Sequence, residues 1–237
     1  MMDLPIQPPP YAPAPPPGPQ ARRSRTRMIS LLVFGSICAL LTSFLAYASF
    51  FSRKAPADHV EAISNAKGIH LALLNFDSDF GRFPDSTTIS SVQKATGSKL
   101  SLGTSSSNDF FRQLLAADVV DTEKFFFAMS TVSPRKPNDV FGRDAITKGE
   151  CAFAYVAGLS SSDDSSTPLA MAPVLPAKRC FERRKYYQNK AVILFLDGSV
   201  KSLPIDRNGK VQLNGMDLFD PRQPFWIGKT PDIKWPE

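Results

Sequence analysis

The chain has 237 residues, 43% of them hydrophobic and 21% charged, with 28 Lys and Arg against 22 Asp and Glu, a formal net charge of +6. Half of that excess sits in residues 1–27, where Arg22, Arg23, Arg25 and Arg27 outweigh Asp3 to give +3. The basic balance therefore reads as membrane topology. It does not read as a nucleic-acid surface, which would need a basic face with interleaved stacking aromatics in one compartment.

Residues 1–20 are dominated by proline, densest at 8–10 and 15–17, with almost nothing apolar to bury. They are expected to form an extended, disordered tail, either a polyproline II docking segment for a cytoplasmic partner of unknown identity or a semi-rigid spacer. Residues 28–51 carry no charge. As a helix they would reach roughly 36 Å, enough to cross a hydrocarbon core of about 30 Å with some tilt. Ala46, Ala48 and Ser49 imitate a signal-peptide cleavage site, but signal cores run to only about 7 to 15 apolar residues. The four arginines before the run, against Arg53 and Lys54 after it, predict a single-pass anchor with its N-terminus in the cytoplasm. The lipid bilayer is then the first partner, and residues 52–237 form an extracytoplasmic domain.

Over residues 57–80, Val60, Ile63, Ala66, Ile69, Leu73, Phe76 and Phe80 recur at three- and four-residue steps, which predicts an amphipathic helix. Gly68 weakens it by roughly 1 kcal/mol relative to alanine, Pro56 is expected to kink or restart the backbone, and Gly81 with Pro84 ends it. Residues 87–107, rich in Ser, Thr and Gly, read as a surface loop. Asn108 is positioned to cap a short helix over 109–117 that groups Phe110, Phe111, Leu114 and Leu115, and Phe125 to Phe127 read as core.

The C-terminal half reads as strands. Residues 151–156 form a short candidate, 160–166 a polar loop, and 169–175 a second candidate interrupted by Pro173. Residues 191–196 are continuously apolar, and Asp197-Gly198 predicts a two-residue type I′ turn returning through 199–205. Asn208-Gly209 and Asn214-Gly215 mark further tight turns. The tail from Pro221, with Phe225, Trp226 and Trp235 among prolines, is expected to pack irregularly as a lid.

Cys38 lies in the expected span and reads as a small apolar residue. Cys151 and Cys180 lie in the exported domain, where an oxidising compartment favours a disulfide closing a loop of about 30 residues and stabilising by roughly 3.5 kcal/mol; two buried thiols that never meet is the other reading. His59 and His70 sit three turns apart on one helix and cannot share a metal. No HExxH, paired CxxC, GxSxG or glycine-rich phosphate loop occurs, so no catalytic residue, metal or cofactor is assigned. Asp77 with Asp79 reads as helix-end punctuation, Asp163 with Asp164 as a solvated turn, and Asp206, Asn208 and Gly209 as a plain turn instead of a calcium loop.

The segment Asn65-Ala66-Lys67-Gly68-Ile69-His70-Leu71-Ala72-Leu73, running through Phe76 to Gly81-Arg82-Phe83-Pro84, resembles the stem helix of type IV pilin-like proteins, specifically the major pseudopilin of type II secretion and its relatives. Ser107-Asn108-Asp109-Phe110-Phe111-Arg112-Gln113-Leu114 is similar to their next helix. Pro137, Asp139, Phe141 and Gly142, followed by Phe153-Ala154-Tyr155, match the motif before their sheet, and Phe195-Leu196-Asp197-Gly198-Ser199-Val200 their hairpin. The resemblance covers residues 28–205. It implies an α+β fold: a long transmembrane-plus-amphipathic helix packed on a small antiparallel head over residues 85–237. It departs at the processing site, where Arg27-Met28-Ile29-Ser30-Leu31-Leu32-Val33-Phe34 has neither the glycine at the prepilin cut nor the glutamate at the fifth mature position.

The expectation is a noncatalytic, permanently anchored pseudopilin-like protein of the bacterial inner membrane, contacting envelope or secretion-system proteins. A minor pseudopilin of a type II secretion or type IV pilus system is the first alternative. An exported hydrolase, which would need His70 gathered with carboxylates in a pocket, is the second.

Overall fold

The structure, a computed structural model, describes residues 12–13, 19–141, 145–184, 187–226, 228 and 230–237, with the side chains of 19–32 and 45–57 outside the description. Contacts divide the chain into two compact units, Met1–Phe51 and Ser52–Glu237. The first element, α1 (Pro19–Phe80), is 62 residues long.

In the first unit Val33, Phe34, Ile37, Leu40, Leu41 and Phe44 are exposed. Among the described residues no helix is long and apolar enough to cross a membrane. The expected span at 28–51 is described by its side chains only over 33–44, and Arg22, Arg23, Arg25 and Arg27 lie outside the described side chains.

The second unit is α+β. Two further helices, α2 (Ile89–Thr96) and α3 (Ser107–Ala116), precede the strands β1 (Ala154–Val156), β2 (Pro168–Ala172), β3 (Val174–Leu175), β4 (Cys180–Phe181), β5 (Lys190–Phe195), β6 (Val200–Pro204), β7 (Gln212–Leu213), β8 (Met216–Asp217) and β9 (Ile233–Lys234). Five of them make one antiparallel sheet in the order β6-β5-β2-β1-β9; β3-β4 and β7-β8 are two-stranded ribbons.

Both faces of β5 are buried, which is why residues 191–196 are continuously apolar and do not alternate with polar residues. Val192, Leu194 and Leu196 face a core that includes Ala62, Ala66, Ile69, Leu73 and Phe76 of α1 and Phe110, Phe111 and Leu114 of α3. Ala191, Ile193 and Phe195 face a second core with Phe181, Val211, Leu218, Phe225 and Trp226. The chain after β6 therefore forms a third layer.

On α1 the buried line differs from the expected stripe by a small rotation. Ala62 and Ala72 turn inward and Val60 outward, because alanines bring the helix backbone close to its support. Gly68 serves the same approach: a Cβ there would lie 2.5 Å from the Phe125 ring. Pro56 lies inside α1 and does not restart it. The helix ends at Gly81 as expected, with φ 78° and its N–H donating to the Asp77 carbonyl at 2.7 Å.

Other expectations are corrected. The segment read as a loop contains α2, whose only buried residue is Val92. The α3 cap is Ser106, which accepts from the Asp109 N–H in a reciprocal capping box, while Asn108 lies two residues further on, within the first turn, and donates to the Ile146 carbonyl at 3.0 Å. At the β5–β6 turn Gly198 alone takes positive φ, 78°. The Phe195 N–H donates to the Ser199 carbonyl and the Gly198 N–H to the Phe195 carbonyl. This is the three-residue turn with a glycine bulge, chosen over type I′ because it keeps Leu196 in the helix-side core. Asn214-Gly215, at φ 53° and 76°, does form the two-residue turn, joining β7 to β8. The tail is ordered, not irregular: β9 pairs with β1, and the Trp226 indole donates to the Leu218 carbonyl at 2.8 Å.

The disulfide is not formed; Cys151 and Cys180 are both free and buried. The Cys151 thiol donates to the Phe153 carbonyl at 3.6 Å beside Ser107, and burial pushes its pKa up to about 12. Cys180 sits in β4 against Gly209, where a Cβ would lie 3.1 Å from its sulfur, so each thiol is committed to different packing.

Candidate functional site

Most of the residues that the sequence raises for chemistry are used in holding the fold. His70 bonds through Nε2 to the Leu196 carbonyl at 3.0 Å, and a Cβ on Gly198 would lie 2.7 Å from its ring. His59 bonds to the Ser202 hydroxyl at 2.8 Å and stands edge-on to Tyr187 at 5.9 Å. The two histidines thus tie α1 to the β5–β6 hairpin at two points. Among the described residues no group of three His, Cys, Asp or Glu side chains is placed to hold a metal.

The carboxylates cap turns. Asp163 Oδ2 accepts from the Ser160 N–H at 2.8 Å, and Asp164 Oδ1 from the Ser166 hydroxyl at 2.7 Å and N–H at 2.8 Å, which holds the Asp164 pKa below its ordinary value. Asp206 Oδ1 accepts from the Asn208 and Lys210 N–H groups, both at 2.8 Å. Asp77 accepts from the Ser161 hydroxyl at 2.5 Å, whereas Asp79 is exposed. At Asp197 burial raises the pKa, but the Ser199 hydrogen bonds and then the nearby Lys201 and His70 outweigh it and leave the carboxyl lowered.

His59 gives a pH prediction. Burial first, and the Lys190 charge second, lower its pKa from 6.5. The unfolded chain then binds the proton more readily than the folded one, so stability falls as pH drops below the unfolded value and levels off below the lowered folded value. Urea unfolding at pH 8, 6 and 5 should show that decline, with a smaller slope in His59→Gln; an unchanged slope would remove His59 from the account.

Among the described residues of the second unit, the large apolar side chains left exposed are Val60, Leu71, Leu74, Val140 and Phe141. At helical spacing, Val60, Leu71 and Leu74 share the side of α1 opposite its buried line and are 61%, 63% and 36% exposed. A groove of about 760 Å³ lies beyond α2, lined by Lys99, Leu100, Leu115, Asp118, Val120 and Phe141. At its rim Val140 and Phe141 are 64% and 46% exposed. The backbone there is held in uncommon conformations, with Asp118, Asp139 and Ile146 at φ 57°, 55° and 52°. Arg112 donates to the Ala145 and Ile146 carbonyls, and buried Glu123 accepts from the Asp139 and Ile146 N–H groups. Among the described residues such a surface offers apolar contact with Lys99 and Asp118 beside it, and so suits recognition. The second line through 60, 71 and 74 follows the same periodicity, with Val60, expected on the inward stripe, belonging to it. Phe141 entered only through a resemblance, and its neighbour Gly142 lies outside the described residues.

The chain matches no protein-family model, no curated protein and no solved structure.

Proposed function

We propose that this chain is a noncatalytic, membrane-anchored, pilin-like interaction protein of the bacterial cell envelope, held by residues 28–51 with its N-terminus in the cytoplasm. The observation that carries the reading is the two-sided use of α1. One face buries Ala66, Ile69, Leu73 and Phe76 against the sheet, and the other leaves Leu71 63% exposed in line with Val60 and Leu74. Isolated exposed apolar side chains are ordinary; three on one helix face, with exposed Ser64 and Lys67 between Val60 and Leu71, support an amphipathic contact surface. The commitment of both histidines and the paired aspartates to packing and turns weighs against the hydrolase reading.

Fractionation tests the topology. The chain should stay in carbonate-washed membranes, and protease added to spheroplasts should digest residues 52–237 while an epitope placed before Arg22 survives. Carbonate release, or survival of the C-terminal unit with loss of the epitope, contradicts it.

A further inference from the structure

We propose that the free edge of β6 is a strand-addition site for an extended, acidic segment of a partner protein. β6 is an outer strand of the five-stranded sheet. The direction of its backbone groups follows from the ladder at both ends. The Phe195 N–H donates to the Ser199 carbonyl, and the Ile205 N–H to the Asn189 carbonyl. In antiparallel pairing hydrogen-bonded positions alternate, so Lys201 and Leu203 bond inward to Ile193 and Ala191. Val200 and Ser202 therefore turn their backbone groups outward, and the open edge ends before Ile205, which is bridged to Val211. Among the described residues no backbone partner meets the N–H or C=O of Val200 or Ser202.

At the other outer strand, β9, the chain just past it is held by α3, where the Ser107 N–H donates to the Trp235 carbonyl at 3.0 Å. The β6 edge is thus a row of four unused groups, two donors and two acceptors, at the spacing an added strand requires.

Charge selects the occupant. Lys201 stands exposed between the two outward-facing residues, its ammonium 4.7 Å from the Phe195 ring centroid. A second copy adding its own β6 antiparallel, centred at this residue, would set Lys201 against Lys201 at the closest cross-strand separation, which is destabilising. The proline-rich residues 1–20 lack the N–H groups that pairing requires. An added strand with a carboxylate opposite Lys201 satisfies the backbone and the charge together. Pro204, which has no N–H, limits the site to about one strand-length of short peptide.

This deepens the interaction reading, yet its test is independent of anchoring or processing. The full chain in detergent micelles is mixed with acetyl-Thr-Val-Glu-Val-Thr-amide or with the lysine-centred equivalent, and residue-resolved amide exchange is followed. The acidic peptide should slow exchange at Val200 and Ser202 about tenfold at saturation, the basic one should not, and Lys201→Glu should invert the preference while Lys201→Gln abolishes it. No slowing by either peptide, equal slowing by both, or protection without peptide accompanied by a dimer mass would each overturn the proposal.

Discussion

Replacing Phe111 with alanine is expected to destabilise the second unit by about 3–5 kcal/mol, the range for truncating a buried aromatic. Phe111 is fully buried on α3, stacked on Phe126 at 4.7 Å and tilted against Tyr155 at 5.4 Å. Its ring thus joins α3, the 3-10 turn at Lys124–Phe126 and strand β1. Tyr155 is pinned by its hydroxyl donating to the Pro84 carbonyl at 3.0 Å. Urea unfolding followed by tryptophan fluorescence reads the loss. The exposed Leu71→Ala on α1 serves as control, with an expected change within about 0.5 kcal/mol. A Phe111→Ala loss below about 1 kcal/mol would mean that α3 is not docked through this ring.

Glu123→Ala is expected to cost a similar amount, about 3–5 kcal/mol, by a different route. The buried carboxylate accepts from the Asp139 N–H at 3.0 Å and the Ile146 N–H at 2.6 Å, and bonds to a charged group contribute about 1.5–3 kcal/mol each. Asp139 answers by accepting from the Glu123 N–H at 2.9 Å and pairing with Lys124 at 2.7 Å. The exchange of bonds is reciprocal, so removing one carboxylate leaves the buried Ile146 N–H and the part-buried Asp139 N–H unmet where both residues already hold positive φ. Glu123→Gln, which retains one acceptor oxygen, should lose about half as much. Native-state exchange should show lost protection at Asp139 and Ile146 with Phe111 still protected. Retained protection at both amides in Glu123→Ala would contradict the arrangement.

The strand half of the second unit was legible because its signals are local. Continuous apolar residues at 191–196 and the Asn214-Gly215 dipeptide each impose their own geometry, and both elements occur. The misread features depend on tertiary support. α2 has too few apolar residues to show a period, and its start is held by Asp85 accepting from the Thr87 and Thr88 N–H groups. The α3 cap shifted to Ser106 because the Asp109 carboxylate returns to the Ser105 and Ser106 N–H groups, whereas Asn108 is drawn across to Ile146. Cysteine spacing could not reveal that Cys151 and Cys180 are committed to different packing partners. The surface groove was invisible because it joins Leu100, Leu115 and Phe141, residues far apart in sequence with no shared pattern.

The proposed anchor rests on the uncharged run at 28–51 behind Arg22, Arg23, Arg25 and Arg27. Intact mass spectrometry of the protein extracted from isolated membranes tests it most directly. The account predicts one species whose mass includes the proline-rich segment and the arginine flank, reduced by no more than the initiator methionine. A species lacking about the first 27 residues, or one lost from membranes and beginning near Ser49, would contradict it.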